Sequence, residues 1–308
     1  MDILKKLTEE FPSIREDRAQ NIINLIDEGN TIPFIARYRK EMTGSCDDQV
    51  LREFNDRLLY LRNLEKRKEE VAKSITDQGK MTEEIQKALD TAATLTEVED
   101  IYRPYKQKKK TRASVAIEKG LQPLADLILA QDKNVDVRAE AEKYVDEEKG
   151  VANADDAIAG AKDIIAEIVS DDANVRKKLR NLFMKNGEVQ TKLVNADKEG
   201  AKTYEMYADY SEAVAEIKSH RVLAVNRGEK EDFLKVKVVF NDEIAKRIAG
   251  AGYLKDGGYS TQLVKEAVDD GYDRLIYPSI EREIRAALTE SASEQAIKMF
   301  EVNLKPLL

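Results

Sequence analysis

The side chains best suited to chemistry in this sequence are cations that occur in two short segments. The first segment, TIPFIARYRKEMTG, contains Arg37, Arg39 and Lys40 around Tyr38. Guanidinium groups bind phosphate oxygens through paired hydrogen bonds, and an aromatic ring beside them stacks on a nucleobase. The alternative is structural, because a helix C-terminus favours cations through its dipole and Tyr38 would then belong to the core. The residue types fit the two interpretations equally well.

The second segment is a lysine-rich loop. Five cations fall within seven positions and another lies just upstream; the six are Arg103, Lys106, Lys108, Lys109, Lys110 and Arg112. Each phosphate neutralised by such a loop releases counterions, so binding would weaken as salt rises. A loop whose cations contact only water is the alternative. Neither segment would read a base sequence, because contacts to the phosphate backbone position a protein without identifying bases.

Residues that could make or break bonds lack the partners that such chemistry needs. His220 is the only histidine, and no local motif supplies the other members of a catalytic triad. Cys46 has neither a nearby base nor a partner in a Cys-x-x-Cys pair. The glycine-rich stretch 250–258 lacks the spacing of a phosphate-binding loop. We therefore predict a binding protein and not an enzyme, with no catalytic residue, no metal site and no cofactor.

Composition narrows the class of protein further. The 308 residues have a formal charge of −8, and 36% of them are charged. This balance argues against a uniformly basic surface but allows a local cationic one. No apolar run reaches the ~20 residues that span a bilayer, so no membrane association is expected. A single cysteine fits a reducing compartment, and we predict a cytoplasmic protein.

Helical spacing dominates the elements that must position the basic segments. The longest predicted helix runs from Asp47 toward Gln78, where apolar side chains recur every three or four residues, with a slip in phase between Leu61 and Leu64. Alternation at period two predicts two short strands, near 188–195 and 233–240. The predicted fold class is therefore mainly α, with these strands as a small addition.

Four helical segments are predicted in the last third of the chain. The first begins at Ser219, a suitable N-cap, and ends at Gly228. The others are three separate helices at Leu263–Asp270, Ser279–Thr289 and Glu294–Leu304.

Four blocks of sequence, in the same order, resemble the Tex family of bacterial transcription accessory proteins. The blocks are TIPFIARYRKEMTG; EDIYRPYKQKKKTRA followed by GLQPLA; DYSEAVAEIKSHRVLAVNRGEKEDFLKV; and PSIEREIRAALTESASEQAIKMFEVNLKPLL. They extend from about Thr31 to the end of the sequence. The resemblance is to the N-terminal half of the family, whose members continue into an RNase H-like (YqgF-type) domain, helix-hairpin-helix units and an OB-fold that binds RNA.

The resemblance implies a fold and a biological process. It implies an elongated multi-helix scaffold with a long central helix and helix-turn-helix-like units, divided into an N-terminal helical domain at 1–200 and a central helical region at 201–308. It implies nucleic acid, RNA or DNA, as a partner, bound mainly by domains that follow this sequence, with the transcription machinery as a further partner. No catalytic residue follows from the matching blocks.

Two functions remain open at this stage. In the first, the two basic segments contribute to nucleic-acid binding during transcription. In the second, the chain is a structural and protein-interaction scaffold that positions RNA-binding domains and binds no nucleic acid itself. The charge of −8 favours the second function for this stretch of sequence.

Overall fold

The computed structural model describes residues 2–256 and 258–304. These residues form sixteen α-helices and a three-stranded antiparallel sheet, which confirms the mainly α fold class. Gly257, within the glycine-rich stretch 250–258, lies outside the described residues. The chain folds into two compact units, Met1–Tyr105 and Lys106–Leu308. The division between residues 200 and 201 and the helix-turn-helix-like units stay predictions.

The first unit consists of seven helices. They are α1 (Ile3–Glu10), α2 (Glu16–Asp27), α3 (Ile32–Tyr38), α4 (Lys40–Thr43), α5 (Asp48–Asp77), α6 (Glu83–Thr91) and α7 (Leu95–Tyr102). One apolar cluster joins α1, α2 and α3 to the first half of α5, and a second joins α6 and α7 to its second half. Helix α5 therefore supports both halves of the unit.

Helix α5 confirms the long helix predicted from the apolar spacing. Asp47 is its N-cap, since the Asp47 side chain accepts a hydrogen bond from the backbone N–H of Val50 at 2.9 Å. The core-facing position after Leu64 is occupied by Lys68, which is only 7% exposed. Its ammonium group lies 3.0 Å from a Glu65 carboxylate oxygen, so a paired charge continues the buried face.

The second unit contains the remaining helices and the sheet. The helices are α8 (Arg112–Glu118), α9 (Gln122–Ala130), α10 (Val137–Glu142), α11 (Ala154–Asp171), α12 (Ala173–Asn186), α13 (Ser219–Lys230), α14 (Asp242–Gly250), α15 (Tyr259–Gly271) and α16 (Tyr277–Leu304). Helix α11 packs against α8, α9, α10 and α15, and it is apolar on most of its circumference. It is the centre of this unit's core.

The sheet has the strand order β2-β1-β3, with β1 at Glu188–Leu193, β2 at Asp209–Ala213 and β3 at Leu234–Val239. β1 and β3 confirm the two predicted strands. In both, the residues of one face are buried and those of the other are exposed. The sequence analysis missed β2 because its segment, DYSEA, has no buried residue and therefore no apolar alternation.

The predicted separation of the last three helices is wrong. Helix α15, a π-helical turn at Tyr272–Ile276 and α16 follow one another without a break. Pro278 lies just after the π turn, where a proline ring removes one backbone donor and would crowd the carbonyl of Arg274 in a regular α-helix. The wider π turn provides this space, so the chain continues as one helix.

The predicted boundaries of α13 are also wrong. Its N-cap is Lys218, and the helix continues past Gly228 to Lys230. Gly228 is buried, and a Cβ at this position would lie 2.6 Å from Leu234 Cδ1 and 2.9 Å from Tyr204 Cδ1. The glycine allows close packing between α13 and the sheet and does not end the helix.

Candidate nucleic-acid interface

The first basic segment lies on two short helices joined at a bend. Helix α3 ends at Tyr38, Arg39 adopts a non-helical conformation with φ −128° and ψ 34°, and α4 starts at Lys40. The segment therefore forms two helices, and the bend separates Arg37 from Lys40. Gly44 ends α4 with φ 72°, a conformation that glycine adopts without steric cost.

The aromatic residue between these cations is on the surface. The Tyr38 side chain is 58% exposed, which excludes the alternative that it belongs to the core. Its ring lies 5.2 Å from the Phe34 ring, and the guanidinium of Arg39 lies 5.3 Å from the Phe34 centroid. This arrangement holds Arg39 by a cation–π contact and leaves one aromatic ring accessible.

Arg37 and Lys40 are exposed cations without a carboxylate partner. Among residues 2–256 and 258–304, neither side chain forms an ion pair. Helix α4 is fastened to α2 from the other side, where Asn21 Nδ2 donates to the carbonyl of Met42 at 3.3 Å and Arg18 donates to the carbonyl of Glu41. The core of the unit therefore holds these two cations in place without neutralising them.

The cations of the second segment have different environments. Arg103 is half-buried in a 3₁₀ turn of the first unit, and the loop that begins at Lys106 belongs to the second unit. Arg103 and Lys106 both take part in further interactions within the structure. Neither cation is therefore available to a phosphate.

Lys108 is a structural residue. Its ammonium group lies 3.4 Å from a Glu167 carboxylate oxygen and contacts the largely buried carboxylate of Asp171. Both carboxylates are on α11, so Lys108 fastens the loop to the central helix of the unit. An ammonium group that is shared between two carboxylates is poorly available to phosphate.

Lys109, Lys110 and Arg112 are exposed cations of this segment. None of the three forms an ion pair with a carboxylate within the part of the chain that the structure describes. Arg112 is the first residue of α8, and its charge acts on the carboxylates of Asp163 and Asp270 and favours their ionised forms. Burial nevertheless raises the pKa of Asp163 above its ordinary value, because the loss of solvent outweighs the attraction of nearby cations.

The structure adds a groove that the sequence analysis missed. It has a volume of about 580 Å³ and lies between α8 and α11, next to Lys110 and Arg112. Two faces with helical spacing line it. They are Arg112, Val115 and Ala116 on α8 with Lys119 directly after it, and Asp156, Ala159, Gly160 and Asp163 on α11. Each face can be recognised in the sequence, but their proximity depends on tertiary packing.

The sheet presents a further group of cations that the sequence analysis missed. Lys192, Lys235 and Lys237 are exposed on its outer face. Lys192 is directly opposite Lys235 on one side and Asp209 on the other. Period-two alternation predicts that these lysines point away from the core, but only the strand register brings them together.

The candidate reactive residues His220 and Cys46 belong to different units of the fold. His220 is exposed in the first turn of α13. Cys46 is half-buried, its thiol donates to the carbonyl of Thr43 at 3.1 Å, and burial raises the pKa of this thiol. Among the described residues, no group of three or more His, Cys, Asp or Glu side chains is arranged to hold a metal ion. None of the described helices combines the length and the apolar character of a membrane span.

Comparison with known proteins gives two family matches. Residues 1–76 match the Tex-like protein N-terminal domain, and residues 132–300 match the family described as Tex central region-like. The second match alone covers more than half of the chain. Between the two, residues 77–131 contain the lysine-rich loop and α8.

Three similar proteins illustrate the relationship. Uncharacterized protein YdcI of Bacillus subtilis (strain 168) is 44% identical over 308 residues, which are 99% of this chain and 43% of that protein. Transcriptional accessory protein Tex of Neisseria gonorrhoeae is 37% identical over 317 residues, covering 100% of this chain and 41% of its own length. S1 RNA-binding domain-containing protein 1 of Homo sapiens is 32% identical over 304 residues, covering 94% of this chain and 30% of its own. The chain therefore spans about two fifths of the two bacterial relatives.

Proposed function

Because this chain belongs to the Tex family, we propose that it is a helical scaffold of a transcription accessory protein that also contributes to nucleic-acid binding through exposed basic side chains. It acts in the cytoplasm, and nucleic acid and the transcription machinery are its partners. Other parts of such a protein supply most of the affinity for nucleic acid. The described residues hold and orient the ligand and catalyse no reaction.

The observation that supports binding is the state of four cations. Arg37, Lys40, Lys109 and Lys110 are all exposed, and no ion pair engages them among the residues that the structure describes. Many surface cations of an acidic protein are paired with nearby carboxylates, as Arg57 is with Glu10 and Arg62 is with Asp27. Arg37 and Lys40 flank the exposed Tyr38 ring, and together they match the requirements of a single strand, which needs positive charge for its phosphates and an aromatic surface for a base.

The relatives support the same class of ligand. The human relative is named for an S1 RNA-binding domain, and the gonococcal relative is named as a transcriptional accessory protein. We therefore infer that a protein containing this chain associates with RNA or DNA. The lysine-rich loop lies outside both family matches, so its contribution has to be tested separately from that of the Arg37 segment.

The competing function is a purely structural and protein-interaction scaffold. The charge of −8 favours it, since the surface as a whole repels a polyanion. The ion pairs of Lys108 favour it as well, because a cation of the predicted loop stabilises the fold instead of remaining accessible. In this function the chain positions RNA-binding domains without contacting their ligand.

A salt series separates the two functions. We suggest measuring the fluorescence anisotropy of labelled single-stranded RNA and of duplex DNA with the chain, from low salt upwards. Binding by phosphate contacts predicts that the logarithm of the association constant falls linearly with the logarithm of salt concentration, with a slope of about −0.7 per contacted phosphate for a single strand. No detectable binding at low salt would favour the scaffold function.

Two double variants locate the contacts. Arg37→Ala with Lys40→Ala, and separately Lys109→Ala with Lys110→Ala, should each weaken binding and make the salt slope less negative by about 1.4 for a single strand. Lys108 is left unchanged because its loss would disturb the loop itself.

A third double variant is the control. Lys202→Ala with Lys265→Ala removes the same charge from exposed positions outside both segments. If the control weakens binding as much as the other two variants, the effect comes from net charge and the two segments are not the site.

A further inference from the structure

The groove between α8 and α11, named here the α8–α11 groove, owes its shape to small side chains. The two helices are antiparallel, with Arg112 near Asp163 at one end and Lys119 near Gly150 at the other. A Cβ on Gly160 would lie 2.4 Å from Leu121 Cδ1 and 3.4 Å from the Cβ of Ala116, so α8, α11 and Leu121 approach closely. Their close contact forms a floor, and the longer side chains at both ends form the walls.

The exposed charged side chains of the groove are separated along its length. Lys110 and Arg112 lie at one end, and both are exposed. At the other end, Asp156 is exposed and accepts a hydrogen bond from the backbone N–H of Ala152 at 3.2 Å, which leaves its second oxygen for another donor. Between the ends lie Val115 and Ala159, which offer an apolar surface.

The other two charged residues of the groove are half-buried and hydrogen-bonded within the fold. The ammonium group of Lys119 donates to the carbonyl of Gly150 at 2.8 Å. The carboxylate of Asp163 accepts from Arg274 Nη2 at 3.3 Å. The exposed charged side chains of the groove are therefore two cations at one end and one carboxylate at the other.

We propose that the α8–α11 groove binds one nucleotide unit, with its phosphate at Lys110 and Arg112, its base on the floor beside Val115 and Ala159, and an amino group of the base donating to Asp156. A volume of about 580 Å³ is within the range of small-ligand sites. The seven-residue separation of Arg112 and Lys119 gives a length of about 10 Å at the α-helical rise, which suits a single nucleotide. This assignment rests on the proposed nucleic-acid function and specifies where one base is held.

The chemistry predicts a preference among bases. Cytosine, adenine and guanine have an exocyclic amino group that donates to a carboxylate, whereas uracil has none. A hydrogen bond to a charged group accounts for about a tenfold difference in affinity. The groove should therefore bind cytidine 5′-monophosphate about tenfold more tightly than uridine 5′-monophosphate, by the same principle.

The test uses these two nucleotides and the matching short oligonucleotides, oligo(C) and oligo(U), with the full chain. Binding is followed by ligand-observed NMR and by fluorescence anisotropy. Ala159→Leu places three extra carbon atoms in the groove from an exposed position, and Ala286→Leu makes the same change at an exposed position of α16. Asp156→Asn removes the carboxylate charge but keeps a hydrogen-bond acceptor.

We expect Ala159→Leu to abolish the binding of cytidine monophosphate and Ala286→Leu to leave it unchanged, with equal thermal stability for both variants. Asp156→Asn should reduce the preference for cytosine over uracil, because a neutral amide oxygen accepts a weaker hydrogen bond than a carboxylate does. If oligo(C) also loses affinity in Ala159→Leu, the nucleotide is part of a strand; if only the monophosphate does, the groove binds free nucleotides.

Two results would overturn the assignment. One is that Ala159→Leu binds the monophosphate as the wild type does, and the other is that wild type fails to distinguish the two bases. In either case, oligonucleotide binding that still responds to the Lys109 and Lys110 variant would leave the proposed function intact. If the wild type binds the monophosphate but the Lys109 and Lys110 variant binds oligonucleotides as tightly as the wild type does, the proposed function is contradicted and the groove assignment is not.

Discussion

Replacement of Gly271 by alanine tests how closely the last long helix packs against α11. Gly271 is the last residue of α15, directly before the π turn, and it is buried. A Cβ at this position would lie 2.9 Å from the carbonyl oxygen and 3.2 Å from the Cα of Ala166. Both are backbone atoms at the centre of α11, so they cannot move without shifting the helix.

The magnitude follows from two opposing effects. Alanine in a helix interior is more favourable than glycine by about 1 kcal/mol, and from sequence alone Gly271→Ala should stabilise the protein. Overpacking of a rigid core costs about 1–3 kcal/mol, and contact with backbone atoms belongs to the upper part of that range. We therefore expect a net loss of about 1–2 kcal/mol in the free energy of unfolding.

The measurement is thermal unfolding followed by circular dichroism, with urea unfolding as a second assay. For a unit of about 200 residues, each kcal/mol corresponds to a shift in Tm of about 2–4 °C, so Tm should fall by about 2–8 °C. The control is Gly252→Ala, where no atom lies within 4 Å of the added Cβ. This variant should be neutral or stabilised by up to about 1 kcal/mol. A Gly271→Ala protein as stable as wild type would refute the reasoning.

Two further variants test charges that the fold depends on. Arg176 is fully buried and contacts Glu283. Burial alone would raise the pKa of Glu283, but the positive charges of Arg176 and Arg180 outweigh burial, so the pKa of Glu283 is lowered. Arg176→Met should therefore cost about 3 kcal/mol in urea unfolding, and a loss below about 1 kcal/mol would contradict this. In the first unit, the hydrogen bond from Arg57 holds the pKa of Glu10 below its ordinary value, so its contribution to stability is complete above about pH 4.5 and is lost as pH falls through the folded-state pKa. Glu10→Gln should accordingly reduce the loss of stability between pH 6 and pH 3, and an unchanged profile would exclude this contribution.

Local signals in the sequence predicted much of the fold. The start of α5 at Asp47 and its apolar spacing depend on neighbouring residues alone, and the structure confirms both. The alternation of apolar and polar residues also predicts strands β1 and β3, because one face of each is apolar. The two basic segments were also evident as clusters of residue type.

Signals that have two local meanings led to the errors. Gly228 has the position of a helix end in the sequence, but its small size is needed for contact with the sheet. The spacing in the last third predicts separate helices at Leu263–Asp270 and Ser279–Thr289, whereas a π turn allows one helix to continue through Pro278. In each case the residue type allows more than one local structure, and residues distant in the sequence determine which one forms.

The sequence by itself determined the helical class, the family resemblance and the presence of clustered cations, because each depends on residue types and their spacing. Only the tertiary structure decided which cations are available. It exposes Arg37 and Lys110, pairs Lys108 with carboxylates about sixty residues away, and places α8 beside α11 to form a groove. The physical reason is that the charge state and accessibility of a side chain depend on the atoms packed around it, and these come from distant parts of the chain.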